Sequence, residues 1–280
     1  MSTGGVRDRR RRRRDFHCTG DFGTWPGTMN ELMERAAEIW WALAVFAIAL
    51  PIEYRFGTGT RPAIAERAGN VGAHLVNFVL GSLVLQAILA QPRAAELLHF
   101  PETPRLALLA NPFLYALAAM FLVDGLYYLY HRLQHASPLL WHIHALHHSD
   151  PAVNVTTSRR THFLERPLQF LLLVTPVLWL LGWNDRGIGL MAIAGPAILY
   201  FAHLDVKLSL GPLTPLLVGP QYHRIHHDLD AHERGTNFAQ SFPLFDLLGG
   251  TYRAPAPGEF VPTGIRGCDS AISRWRPILW

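Results

Sequence analysis

The stretch DGLYYLYHRLQHASPLLWHIHALHHS, residues 124–149, is the most informative part of this chain, because histidines recur in it at helical spacing. They stand three and four positions apart in two groups, His131 with His135, and His144 with His147 and His148. Side chains at these spacings share one face of a helix. Each group is therefore predicted to aim its imidazoles at one point.

A third group of the same kind follows further along the chain, in the sequence HRIHH at residues 223–227. It contributes His223, His226 and His227. Three converging faces would supply more nitrogen ligands than one metal ion can hold. The sequence therefore predicts a site for two metal ions. The two cysteines, Cys18 and Cys268, are too few for a thiolate site, which leaves histidine as the ligand class.

The composition indicates a membrane protein, since half of the 280 residues are hydrophobic and only 16% are charged. Much of the positive charge lies in one arginine run, residues 7–14. No aromatic residues interleave with that run, so we expect a solvated, disordered tail over residues 1–35 and no nucleic-acid partner.

Apolar stretches suited to membrane helices occur at residues 39–52, 71–90, 106–130, 168–183 and 188–202. The last two are separated by the turn-like sequence NDRG at residues 184–187. A hairpin of two spans returns to the side it left, so the segments around His162 and His203 are expected to face one compartment.

The arginine-rich beginning of the chain should stay cytoplasmic by the positive-inside rule. A cytoplasmic histidine site then requires that either the 39–52 stretch or the 106–130 stretch does not cross. We therefore expect an all-α fold, an integral-membrane helical bundle of about four spans under a cytoplasmic histidine-rich helical cap.

This pattern predicts four regions along the chain. They are a disordered basic tail at 1–35, N-terminal membrane helices at 36–105, a catalytic domain at 106–253 that contains a membrane hairpin at 167–203, and an irregular C-terminal strap at 254–280.

The motifs around the histidines resemble a known family. D-x-x-Y-Y-x-x-H-R-x-x-H begins at Asp124, W-x-x-H-x-x-H-H-S begins at Trp141, and H-R-I-H-H begins at His223. In this order they are similar to the fatty acid hydroxylase and sterol desaturase superfamily of integral-membrane oxygenases, over residues 121–252. The resemblance implies a di-iron centre that uses O2 and two external electrons to hydroxylate or desaturate a lipid.

The resemblance also implies which residues hold the metal. The expected ligands are His131, His135, His144, His147, His148, His223, His226 and His227. His203 lies where family members place a further ligand, although the second histidine that some relatives carry four positions away is Leu199 or Lys207 here. His162 is either a further ligand or a residue that supports one.

A cage of neutral histidines leaves the metal charge uncompensated, so acidic residues are expected behind the ligands. The candidates that support the ligands from behind are Asp124, Glu165, Asp228, Asp246 and Asn237. The other histidines are expected to be surface or packing residues, namely His17, His74, His99 and His232. His142 lies two residues before His144 and should point away from that group.

The expected substrate is an apolar, membrane-resident lipid such as a fatty acyl chain or a sterol, and hydroxylation is favoured over desaturation. The electrons would come from a separate reductase, ferredoxin or cytochrome-like protein. Imidazole suits zinc, copper, iron and nickel alike, so two alternatives stay open. They are a membrane zinc-dependent hydrolase with a lone three-ligand site, and a histidine-lined metal transporter.

Overall fold

The computed structural model describes residues 29–57, 64–230 and 235–267, with side chains from residue 41 onward. Residues 1–28 of the predicted basic tail lie outside these ranges, and residues 29–35 belong to a helix and not to a disordered segment. The predicted strap beyond residue 267 also lies outside them. The chain divides into two compact units, residues 1–43 and 44–280, and the histidines discussed below lie in the second. Over the described ranges the secondary structure is helical, with two isolated β-bridges and no strand.

Ten α-helices follow one another along the described chain. They are α1 Met29–Phe56, α2 Ile64–Leu89, α3 Pro92–Leu97, α4 Pro112–Ala136, α5 Pro138–His148, α6 Glu165–Gln169, α7 Thr175–Leu181, α8 Asp185–Ala202, α9 Pro220–His226 and α10 Leu244–Gly249. Short 3₁₀ helices occupy Ala107–Ala110, Val155–Arg159 and Gly211–Leu213. The predicted all-α fold is confirmed for the described residues.

Two helices, α2 and α4, are long and apolar enough to cross a membrane. They correspond to the predicted apolar stretches 71–90 and 106–130. The four crossings and the cytoplasmic side of the histidine-rich cap stay predictions.

The bounds of α4 differ from the predicted stretch for a local reason. Asn111 caps the helix by accepting the backbone N–H groups of Phe113 and Leu114, so the helix begins only at Pro112. It then continues to Ala136 and carries His131 and His135 in its last turns. The residue before a proline avoids helical geometry, and the extended Ser137 therefore separates α4 from α5.

The two apolar stretches at 168–183 and 188–202 form a helical hairpin whose turn lies earlier than expected, and their crossing of a membrane stays a prediction. A helix runs from α6 through a π-helical turn at Phe170–Val174 into α7, and Gly182 ends it with a φ of 80°. The NDRG sequence is not the turn: Asn184 accepts the N–H of Gly187, so Asp185 already begins α8. Because the Asn184 side chain caps the helix, residues 185–187 form its first turn and not a loop.

Both arms of the hairpin pack against α4. The buried core there contains Leu109, Tyr115, Ala119, Val177 and Leu181. Gly187 permits the close approach of α8, because a Cβ at this position would lie 2.5 Å from the Tyr115 ring. The hairpin thereby returns α8 to the end of α4 where the histidines lie.

Candidate metal centre

A first group of five buried histidines forms where the end of α4 meets α5 and α9. Each residue offers one ring nitrogen as a ligand atom, and these five nitrogens all lie within 4.8 Å of one another. The members are His131, His135, His144, His148 and His226.

A second group of four buried histidines lies beside the first, with its ligand nitrogens equally close together. Its members are His147, His203, His223 and His227. The imidazole of His148, from the first group, stacks on that of His227, from the second, with 4.4 Å between ring centroids. The nine histidines therefore form two adjoining groups, each of which could hold a metal ion, and the predicted number of two ions stays a prediction.

The way the sequence motifs divide between the two groups corrects one expectation. Each motif was predicted to aim at a single point, whereas His147 joins a different group from His144 and His148. His226 likewise separates from His223 and His227. Neighbouring residues on a helix point about 100° apart, so the i and i+4 members stay together and the i+3 member faces the other group.

Within the groups, imidazole nitrogens face each other at distances that suit metal ligation. The Nε2 atoms of His131 and His144 are 2.9 Å apart, and those of His147 and His203 are 3.3 Å apart. His223 Nε2 lies 3.2 Å from the Nε2 atoms of both His203 and His227. Two ligands at about 2.1 Å from one ion, separated by 90–110°, are roughly 3.0–3.4 Å apart.

The opposite side of several rings is fixed by hydrogen bonds. His131 Nδ1 donates to the carbonyl of Phe238 at 2.7 Å, and His226 Nδ1 donates to that of Thr236 at 2.9 Å. His203 Nδ1 reaches the carbonyl of Leu199 at 2.8 Å. A proton held at Nδ1 leaves the Nε2 lone pair directed into the group, which is how metal-binding histidines are oriented.

Several histidines of the centre are held neutral by their surroundings. Burial is the largest cause that lowers the pKa of His147, His148 and His223 well below 6.5, and the neighbouring histidines lower it further. Burial also lowers the pKa of His203 to about 4 and that of His226 to about 3. Neutral imidazole is the form that binds a metal ion.

Of the residues predicted to support the ligands, Glu165 contacts a histidine directly. Its Oε1 lies 3.0 Å from His144 Nδ1 and also accepts from Gln134 Nε2 at 2.8 Å. Glu165 begins α6, so the first arm of the hairpin brings this carboxylate to the centre. Since α8 ends beside His203, both ends of the hairpin meet at the histidines as predicted.

Asp124 and Asp246 bond a loop that contacts a histidine, whereas they were predicted to bond the histidines directly. Asp124 accepts the backbone N–H groups of residues 240–242, and Asp246 accepts those of Phe238 and Ala239. Both carboxylates therefore hold the loop whose Phe238 carbonyl accepts from His131. A loop with several buried N–H groups needs hydrogen-bond acceptors, and these two carboxylates supply them.

Asn237 and Asp228 also lie beside the centre, and their described hydrogen bonds go to backbone groups. Asn237, in the left-handed region with a φ of 59°, bonds the backbone of Tyr222 and Arg253 and so ties the loop to α9. The Asp228 carboxylate accepts the N–H of Asp230.

The remaining histidines divide by exposure. His162 is buried, but it belongs to neither group, and its Nδ1 accepts the N–H of Leu164. His142 and His99 are exposed, in agreement with the prediction, whereas His74 lines a cavity described next. His17 and His232 lie outside the described residues.

A cavity of about 100 Å³ opens onto both groups, because it is lined by His144 from the first and His147 from the second. Its other walls come from α2, α6, the Val155–Arg159 turn and Gln240. A small molecule in this cavity would lie beside both candidate metal positions.

Sequence reasoning missed the main-chain acceptors at Thr236, Phe238 and Leu199. A carbonyl is present in every residue and leaves no mark in the sequence. The signals that the sequence offers are the side chains that hold this loop, Asn237 and Asp246, for which it predicts direct contact with the histidines.

Comparison with known proteins places this region in a family. Residues 116–251 match the family model described as Fatty acid hydroxylase. Ornithine lipid hydroxylase OlsE from Rhizobium tropici is 31% identical over 191 residues, which cover 65% of this chain and 53% of that protein. Alkylglycerol monooxygenase from Xenopus tropicalis is 28% identical, over 46% of this chain and 28% of that protein.

Very-long-chain aldehyde decarbonylase GL1-1 from Oryza sativa subsp. indica is 32% identical over 61% of this chain and 29% of that protein. The chain thus spans about half, or less, of the length of these relatives. No solved structure gives a significant match. The matched region contains all nine grouped histidines, and through this region the chain is similar to the fatty acid hydroxylase family.

Proposed function

We propose that this protein is a membrane-bound di-iron oxygenase that uses O2 and external electrons to hydroxylate a C–H bond of a lipid. The observation that carries the proposal is the pair of adjoining histidine groups, five and four residues in size, inside the region that matches the family. The names of the relatives, a lipid hydroxylase and a monooxygenase among them, support the reaction class.

The donor set suits a pair of iron ions better than the alternatives. A catalytic zinc needs three protein ligands and one open position, and nine imidazoles exceed that need. A transporter site would lie near the membrane midplane on broken helices, whereas six of the nine histidines lie on α5, α9 or directly after it, outside the two apolar helices. Two iron ions would supply the activation of O2 and the cleavage of an unreactive C–H bond.

The protein's own contribution is a rigid and dry enclosure. The histidines are buried, so water competes little for the metal positions. The carboxylate of Glu165 would offset part of the charge of a bound metal through His144, which lies on the wall of the cavity. The cavity admits substrate to both groups at once. Electrons would be delivered by a separate reductase, ferredoxin or cytochrome-like protein.

Metal analysis of the purified protein tests the proposal. Two irons per chain, together with O2 consumption that depends on an added reductant, are expected. His147→Ala should lower the iron content, and His142→Ala is the matched control, because His142 is exposed on the same helix. One tightly bound zinc would favour the hydrolase, and weak, exchangeable metal would favour the transporter.

The proposed topology places the histidine-rich cap on the cytoplasmic side of a bundle of about four spans. The hairpin turn would then lie on the opposite side. Single cysteines at Arg186, in the first turn of α8, and at Ala256 provide the test, since both positions are exposed. With Cys18 and Cys268 replaced by serine, an impermeant maleimide should label position 186 on intact cells and position 256 only after permeabilisation. The reverse pattern would contradict the orientation.

A further inference from the structure

The cavity beside the histidines is more polar than a lipid oxygenase needs for a hydrocarbon chain. Arg159 and Arg166 both line it. The Arg159 guanidinium also donates to the Tyr200 hydroxyl, and that of Arg166 lies over the Phe78 ring. Glu165 is the carboxylate on its wall, and hydrogen bonds from Gln134, His144 and Gln169 already occupy that carboxylate. The cavity walls therefore carry a positive balance, which favours an anionic occupant.

Asn77 provides an independent indication that the occupant is polar. This residue of α2 is only 4% exposed and lines the cavity. Neither its Nδ2 nor its Oδ1 has a hydrogen-bond partner among the described residues. Buried amides are almost always paired, because leaving one unpaired is costly. A polar group of a ligand in the cavity would supply the missing partner.

A second, more apolar cavity lies beside this one, in the seam between α4 and α8. This smaller cavity, of about 60 Å³, is lined by Met120, Val123 and Met191 among others. Tyr127 and Gln240 line both cavities, so the two are neighbours across these side chains. A hydrocarbon chain in the seam would point one end at the arginines and at His144 and His147.

We propose, resting on the function proposed above, that the substrate is a lipid that carries an oxyanion, a carboxylate or a phosphate, close to the carbon that is oxidised. Arg159, Arg166 and Asn77 bind this polar end. The chain runs along the α4–α8 seam. The oxidised carbon consequently lies near the polar end of the lipid and not in the middle of the chain.

Equilibrium binding of matched amphiphiles to the purified full-length protein in detergent tests the proposal. Radiolabelled hexadecyl phosphate and hexadecanol share one chain and differ in the charge of the end group. Hexadecyl phosphate is expected to bind at least tenfold more tightly. Partition into micelles affects every variant alike and cancels when the ratios of the two affinities are compared.

Three variants locate the preference. Asn77→Leu and Arg166→Gln should each lower the affinity ratio at least fivefold. Asn77→Asp keeps the shape of the side chain and should lower the ratio further by repelling the anion, which separates loss of the polar contact from a folding defect. Arg132→Gln is the matched control, since Arg132 lies on α4 away from the cavity and should leave the ratio unchanged.

Equal binding of the two amphiphiles, or a ratio that none of the cavity variants changes, would overturn the proposal. The proposal would also be overturned if inorganic phosphate displaced hexadecyl phosphate at the same concentration as unlabelled palmitate does. The site would then bind a free anion and not a lipid. The measurement needs neither metal nor turnover. An absence of iron would therefore contradict the proposed function and leave this test intact.

Discussion

At the scale of single residues, the centre depends on what stands behind each imidazole. Three of the grouped histidines bond backbone carbonyls, and His144 bonds the Glu165 carboxylate. Carbonyls fix the orientation of a ring without adding charge, whereas a carboxylate also offsets the charge of a bound cation. Glu165 is therefore expected to matter more for metal affinity than the other acidic residues near the centre.

Replacement of Glu165 tests this difference. Glu165→Ala should weaken metal binding about 10–100-fold, the usual effect of removing a hydrogen-bond partner behind a ligand. Glu165→Gln, which can still accept from His144, should weaken it less. Metal content after competition with a chelator measures both. A Glu165→Ala protein with the metal content of the wild type would contradict the assigned role.

The buried histidines also predict how the metal-free protein responds to acid. The pKa of His203 is lowered to about 4 and that of His226 to about 3, so the folded protein binds fewer protons than the unfolded chain below pH 6.5. Stability is then fully present above pH 6.5 and is lost as the pH falls toward 4, by up to about 1.4 kcal/mol per pH unit for each group. Thermal unfolding of the metal-free protein at pH 7.5, 6 and 5 should show a falling Tm. A constant Tm would contradict the prediction.

At the scale of helices, the site exists because short breaks redirect long helices. The Ser137–Pro138 step ends α4 directly after its histidines and lets α5 fold back toward them. Hairpin arms on either side of Gly182 then add Glu165 and His203. The packing of α8 on α4 determines how far along α4 the end of the second arm lies.

Two glycines of α8 provide a matched test of that packing. Gly187→Ala should lower the free energy of unfolding by about 1–3 kcal/mol, because its Cβ would overlap the Tyr115 ring. Gly189→Ala, two residues further on, meets nothing within 4 Å and should stabilise the helix by roughly 0.5–1 kcal/mol. Chemical denaturation in detergent measures both. Similar effects from the two substitutions would show that the α4–α8 contact is not tight.

At the scale of the whole molecule, a buried polar network joins the N-terminal helices to the histidine-rich cap. Glu53, near the end of α1, accepts the backbone N–H groups of Val155 and Asp205 and pairs with Arg67 of α2. Asn70 of α2 donates to Asp150 at 2.7 Å. The segments that contain Asp150, Val155 and Asp205 are thereby held against α1 and α2, which precede them in the sequence.

Removal of Glu53 should therefore affect the whole molecule. Glu53→Ala leaves two buried N–H groups without this acceptor and Arg67 without its carboxylate partner, which should cost about 2–5 kcal/mol of unfolding free energy. Glu66→Ala, on the same helix as Arg67, is the comparison variant and should change stability by less than about 1 kcal/mol. Equal stability of Glu53→Ala and the wild type would show that the network does not join the cap to the helices.

The sequence by itself determined the helical fold and predicted a histidine site for two metal ions, because both follow from local periodicity and residue chemistry. Spacing along one helix states which side chains share a face. It does not state where another helix will meet that face, so only the tertiary structure decided that His147 and His226 change groups and that His203 joins them. The same reason explains the roles of Asp124 and Asp246, since the loop that they hold comes from a distant part of the chain.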